Sequence, residues 1–445
     1  VSHDLSEVAV VTKYISFHPA ISEASVTRAL YSLLFCLLLP AVVIRIYWRS
    51  IREPRYRQDL KQRFGLASVS DTQQALPVWV HAVSAGETIA ARELVERLLV
   101  EGHQVILSNM TPTGRDRAEQ MFGDRIKSVY APYDIPLFVS WFLARVQPKA
   151  LIIIDTELWP NMITLCRKKR IPVYLVNGRL STKSAAGYQR VKLISRQMFE
   201  SLSEVFAQTE TQAQRFSALG APSVVTTGSI KFDARLPEDF PNRVETLQEK
   251  FQNKFVVLGA STHEGEEAAL LAAYKRLNDE NALLILAPRH THRVGAVMDL
   301  IAKSGFAFQK HSDGGPLKVG TRIYVLDTMG ELIYFYGVSK VAFVGGSLVD
   351  VGGHNPMEPG GLGKPILMGP YRRNIADIAE QFSDAGALLT VNDADDVYVA
   401  LEQLSDMPSQ REDMSTAALK VMANNRGALD RVCSVILPLM RENKH

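Results

Sequence analysis

Glu87 stands where a strand-like run, "VWVHAV", gives way to a helical one through the small turn Ser84-Ala85-Gly86. An acid in a first helical turn has two uses. The helix dipole favours it there by up to about 1 kcal/mol, a purely local role. The same dipole can instead keep the carboxylate ionised while it faces a ligand, as a general base must be. Asp155 and Glu157 follow the apolar run "ALIII", with Trp159, Pro160 and Asn161 beside them. Capping of the next helix and catalysis both fit that pair. Lys231, in "TGSIKFD", is either a surface cation or a charge that neutralises a leaving phosphate. Arg179, Lys183 and Arg190 lie among small residues, in a loop suited to phosphates or simply to water.

The second half offers a different chemistry. "GASTHEGEE" places Glu264 three residues after Ser261, a capping-box spacing. "APRHTHR" gathers Arg289, His290, His292 and Arg293 with no acid or cysteine beside them in sequence, which favours anion binding over a metal. "DTMGEL" offers backbone amides at a helix start. In "GGSLVDVGGHNPMEPGGLGKP", glycines permit close backbone approach, and Asn355 and Glu358 project from a turn framed by Pro356 and Pro359. A carboxylate there suits a ribose, as in dinucleotide folds. Neither GxGxxG nor GxxxxGK[ST] occurs where it should, which argues against dinucleotide oxidoreductases and P-loop enzymes.

All these residues sit where strand-like runs end. From residue 77 onward, short β-branched runs alternate with helical patterns, the signature of parallel sheets wrapped by helices. Lys231 to Arg243, polar and proline-bearing, reads as a linker between two doubly wound α/β halves. Ligands of such sheets bind beyond the carboxyl ends of the strands, so two such domains face to face make a cleft lined by these turns.

The N-terminus departs from this pattern. "ALYSLLFCLLLPAVVI", Ala29 to Ile44, carries no charge. It is followed by Arg45, Arg49, Arg52, Arg55, Arg57, Lys61 and Arg63. A cleaved signal would be followed by small residues, and a buried core helix would not usually be flanked by such a basic run, whereas a membrane anchor suits it. The positive-inside rule then places the remainder on the cytoplasmic side, with the basic run against anionic headgroups. The 445 residues allow two domains, and a net charge of +3 gives no reason to expect nucleic acid as a partner. Three cysteines without CxxC spacing (Cys36, Cys166 and Cys433) argue against a disulfide framework and for a reducing compartment.

"HAVSAGE", "DTELWPN", "NGRLSTKSAAGY", "GSIKFD", "STHEGEE", "APRH", "DTMGEL" and "GGHNPMEP" occur in that order. Together with the apolar N-terminus, the chain closely resembles the 3-deoxy-D-manno-octulosonic acid (Kdo) transferases of lipopolysaccharide synthesis. The resemblance implies an α/β GT-B glycosyltransferase: two Rossmann-like domains facing across a cleft, with an N-terminal membrane-anchor helix. The expected divisions are an extension over residues 1–25, the anchor over 26–50, an acceptor domain over 51–230, a linker over 231–243 and a donor domain over 244–445. It further implies inverting transfer of Kdo from CMP-Kdo to a lipid A precursor, the tetraacyldisaccharide bisphosphate lipid IVA, at the cytoplasmic face of the inner membrane, with neither cofactor nor metal. By motif, Glu87 is the general base, and Glu157 and Lys231 stabilise the transition state. Pro288, Arg289, Met329, Gly330, Glu331, Asn355, Pro356, Met357 and Glu358 match the CMP-contacting segments. Two rival readings are another GT-B nucleotide-sugar enzyme (a UDP-sugar transferase or epimerase) and a non-catalytic, membrane-anchored sugar-nucleotide-binding protein.

Overall fold

The computed structural model describes residues 23–67, 76–277 and 279–442. Except for the start of its first helix, the extension expected over residues 1–25 lies outside them. The chain forms two compact units, Val1–Ala234 with Gly427–His445, and Arg235–Arg426.

The first unit is built on strands β1 (Val78–His81), β2 (Val105–Asn109), β3 (Lys127–Tyr130), β4 (Ala150–Ile154), β5 (Val173–Gly178), β6 (Glu204–Ala207) and β7 (Val224–Thr226). They pair in parallel in the order β3-β2-β1-β4-β5-β6-β7. Val78 lies level with both Val105 and Ala150. Side chains alternate between two cores. Val78, Val80 and Ile152 point into one, and Trp79, Leu151 and Ile153 into the other. Burial on both faces explains why these strands read as unbroken apolar runs. The connection order reverses between β1 and β4, which makes their carboxyl ends the natural ligand edge.

Two expected boundaries are corrected here. The helix Ala428–Glu442 belongs to the first unit, because Leu429, Val432, Cys433, Ile436 and Met440 are buried in the core beneath β1 and β4. The start of the expected linker is part of that unit too. Ile230 and Phe232 are buried, and the Asp233 carboxylate accepts the Gly427 and Leu429 amides at 2.6 and 2.7 Å. The rest of the linker stretch opens the second unit, whose first helix is Phe240–Lys250.

The second unit holds β8 (Phe255–Thr262), β9 (Ala282–Pro288), β10 (Phe308–Lys310), β11 (Ile323–Val325), β12 (Val341–Val344), β13 (Ile366–Met368) and β14 (Leu388–Thr390). These are also parallel, in the order β10-β11-β9-β8-β12-β13-β14, with the reversal between β8 and β12.

The apolar N-terminus is one helix, Glu23–Arg52, which runs through Pro40 and is long and apolar enough to cross a membrane. It is two-faced. Arg28, Ser32, Phe35, Leu39, Ile46 and Ser50, spaced three, four or seven apart, are buried or half-buried. Leu30, Leu33, Leu34, Leu37, Ile44 and Trp48 on the opposite side are exposed. The inward face meets the first unit through Arg28 to Gln197 at 3.4 Å and Phe35 against Tyr133, ring centroids 6.4 Å apart. Of the basic residues that follow, Arg63 is buried over the Tyr130 ring at 3.9 Å, and Arg55 pairs with Asp116. Those two charges are therefore engaged within the protein.

Candidate active site

At the β1 end, Ser84 caps the helix Ala85–Ala90 and its hydroxyl oxygen accepts the Glu87 amide. The Glu87 carboxylate turns back onto the same turn. It accepts the Val83 amide at 2.5 Å and the Ser84 hydroxyl at 3.0 Å. The local capping role is therefore real, and it fixes the carboxylate in place. The expectation that the helix dipole holds Glu87 ionised is corrected. The helix has only six residues, and burial, then the nearby Glu157 charge, raise the Glu87 pKa to about 7 against the pull of the Val83 amide. A carboxyl group poised there exchanges protons readily near neutrality.

The turn after β4 supplies the neighbours. Burial raises the Glu157 pKa, while the Trp159 indole, 3.5 Å from the carboxylate, lowers it and Asp155 raises it further. Asp155 adopts a left-handed backbone (φ 56°) and accepts hydrogen bonds from Asn177 and from the Lys231 ammonium at 3.0 Å. Lys231 is thus not the lone cation its sequence context suggested. Residues 76 positions apart make one ion pair at the sheet edge. The Thr156 hydroxyl accepts the Arg179 amide at 2.9 Å, tying the basic loop after β5 to this acidic turn. Beneath lies His81, fully buried, its Nδ1 2.8 Å from the Ser108 hydroxyl and its pKa lowered by burial to about 4. Its Nε2 has no hydrogen-bond partner among the described residues. The edge of the first unit therefore brings Glu87, Asp155, Glu157 and Lys231 together, a proton acceptor beside a fixed cation.

The second unit's edge is organised by a residue that sequence reasoning passed over. Glu266 is fully buried and accepts four backbone amides: His263 and Gly346 at 2.8 Å, Ser347 and Leu348 at 2.9 Å. It thereby locks the turn after β8 to the turn after β12. Gly345 is required there, because a Cβ would lie 2.4 Å from the Ser261 carbonyl oxygen. The expected Ser261/Glu264 capping box does not form. Ser261 sits at φ 52° at the end of β8, Glu264 is exposed, and the helix begins only at Glu266.

Arg289 stands exposed beyond β9, with Pro288 the last residue of that strand. Arg293 is drawn away from the expected anion cluster, since Glu267 takes it in an ion pair at 2.7 Å. His263 and His354 face each other, Nε2 to Nε2 at 2.8 Å, with His290 against His263 at 5.6 Å between centroids. Burial first, then Arg289, lower the His354 pKa to about 4, so His354 is neutral at pH 7. The only signals for it in the sequence were the lone histidines of "STHE" and "GGHN". Gly330 is left-handed (φ 84°) and Met329 is exposed, whereas the Glu331 side chain is taken up by Arg243, Thr328 and His311. Asn355 accepts the Met357 amide at 3.0 Å, and this turn leads through Pro356 into a single helical turn that leaves Glu358 exposed.

Two Rossmann-like parallel units, each with its polar groups on the carboxyl edge, define the GT-B fold. In fold the chain is similar to UDP-GlcNAc 2-epimerase from Neisseria meningitidis bound to UDP-GlcNAc (TM-score 0.56, 16% identity, 81% of this chain and 100% of that chain), a likeness of fold alone. Residues 58–234 match the family model described as 3-deoxy-D-manno-octulosonic-acid transferase (kdotransferase). A 3-deoxy-D-manno-octulosonic acid transferase of Haemophilus influenzae is 34% identical over 424 residues, covering 94% of this chain and 99% of the relative. One of Bordetella pertussis is also 34% identical over 424 residues, covering 92% and 98%. The chain belongs to the Kdo transferase family and is a glycosyltransferase that transfers Kdo.

Proposed function

We propose that the chain moves Kdo from CMP-Kdo to a hydroxyl of a lipid A precursor in one inverting displacement. The acceptor oxygen bonds to the anomeric carbon as the bond from that carbon to the CMP phosphate oxygen breaks. The proton passes to Glu87, and the electron pair leaves on CMP. The observation that carries this reading is the Glu87 carboxylate, clamped by the Val83 amide and the Ser84 hydroxyl and poised near neutral pH beside Glu157. Lys231, fixed by Asp155, is read as stabilising developing negative charge. Pro288, Arg289, the Met329–Glu331 turn and Asn355 through Glu358 are read as the CMP-binding segments. Because its carboxylate is already engaged, Glu331 would contribute through its backbone.

The first helix is read as lying in the membrane interface at the cytoplasmic face rather than crossing the bilayer. The side carrying Arg28, Ser32 and Phe35 is held by the first unit, and the opposite side is left for lipid. Mass spectrometry of the products from CMP-Kdo and the tetraacyl disaccharide tests the reaction directly. One or more Kdo additions support it. An unmodified acceptor under conditions where CMP binds the protein rejects it.

A further inference from the structure

The first helix is wired to the turn that carries Glu157. Asp134 is fully buried, and its carboxylate accepts the Asn161 amide at 3.0 Å and the Met162 amide at 2.7 Å. Those two residues lie in the first turn of the helix Pro160–Lys168, whose own N-cap, Trp159, offers no side-chain cap. Asp134 therefore caps that helix from a distance. The Asn161 side-chain amide donates to the Asp134 carbonyl at 2.7 Å and to the Ser32 hydroxyl at 3.0 Å. The Tyr31 hydroxyl lies close enough to the Asp134 carboxylate for the two to interact electrostatically. Phe35 packs on Tyr133, next to Asp134 in the chain. The capped helix begins three residues after Glu157, and Trp159 between them bonds the Glu157 carboxylate and sets its ring at 88° to that of His81.

Apolar contact alone would hold a greasy helix against a protein. A buried carboxylate and amide are costly unless each atom is paired, and here part of that pairing, the Ser32 hydroxyl on Asn161 and the Tyr31 hydroxyl beside Asp134, comes from the membrane-facing helix. Burial pushes the Asp134 pKa up to about 6, and the two amides and the Tyr31 hydroxyl draw it back down.

We propose that Tyr31 and Ser32 are positioning residues: through Asp134 and Asn161 the first helix fixes the start of Pro160–Lys168, and with it the Glu157 carboxylate. A chain whose first helix is unseated then loses turnover and not merely its hold on the membrane. This inference rests on the role given to Glu157 above.

The test separates the two faces of the helix. In detergent, Tyr31→Phe combined with Ser32→Ala lowers kcat about tenfold, the scale of a small misplacement of a reacting group. Acceptor KM and flotation with phosphatidylethanolamine/phosphatidylglycerol vesicles stay near wild type, and Ser32→Thr alone keeps wild-type kcat. Leu34→Ser with Leu37→Ser, on the exposed face, loses flotation but keeps kcat in detergent. Hydrogen exchange of the Asn161 and Met162 amides, a readout independent of turnover, speeds up in the first pair of substitutions and not in the second. Wild-type kcat in the inward-face variant overturns the proposal, as does a kcat loss that tracks flotation in both variants. Should the wild-type chain transfer no Kdo at all, the functional reading falls by itself. Amide exchange then decides the coupling, accelerated exchange supporting it and unchanged exchange overturning it.

Discussion

At the scale of the residue, the proposed transfer depends on the charge of Glu87. A base must be deprotonated to act, so kcat/KM should rise with pH along a limb with an apparent pKa of about 7. Glu157 is one of the causes of that raised value, so Glu157→Gln should shift the limb to lower pH as well as lower its plateau. A pH–rate profile of both proteins checks this, and a limb that stays in place would count against the proximity. The linkage has a definite sign. With its folded pKa above the unfolded value, Glu87 favours the fold while protonated, and that contribution is lost as pH rises through about 7. The place of this carboxylate in a first helical turn was legible in "HAVSAGE", but its burial beside Glu157 was not. The helix start is visible in the sequence, whereas burial and Glu157, 70 positions away along the chain, raise the pKa. The same distance hid the pairing of Asp155 with Lys231, because spacing along a chain says nothing about which strand ends meet at a sheet edge.

At the scale of the element, Glu266 is the clearest case. Its carboxylate holds amides of two turns that converge at the reversal of the second sheet. Glu266→Ala would strand buried N–H groups at about 1–3 kcal/mol each, so the second unit should lose roughly 3 kcal/mol or more. Chemical denaturation measures this, and an unchanged midpoint would contradict it. The long apolar runs of β1, β4, β8 and β9 announced themselves because both faces of each sheet are buried. β10 and β14, three residues each at the sheet edges, carried no such run and went unread. The Ser261/Glu264 spacing misled because Ser261 is left-handed within the end of β8, and the helix begins at Glu266 rather than at residue 262, four positions late.

At the scale of the whole molecule, the chain order of the units is interrupted by the return of Ala428–Glu442 to the first. Ending the chain at Arg426 should therefore damage the first unit although the cut follows the second. It removes Leu429, Val432, Ile436 and Met440 from the core beneath β1 and β4, at about 1.5–3 kcal/mol for each buried side chain. Limited proteolysis should then cut the first unit while sparing Arg235–Arg426. Equal resistance of both units would refute the assignment. That return was not readable from alternation, since a lone amphipathic helix at the end of a chain fits either neighbour.

The proposed delivery of a base from this edge to the acceptor hydroxyl of Kdo transfer is measured most directly by the Kdo-transfer rate of Glu87→Gln. Glutamine keeps an acceptor for the Val83 amide but cannot take the proton. The expected result is a loss of kcat of about a hundredfold or more, with CMP affinity retained. Turnover close to wild type would contradict the role proposed for Glu87.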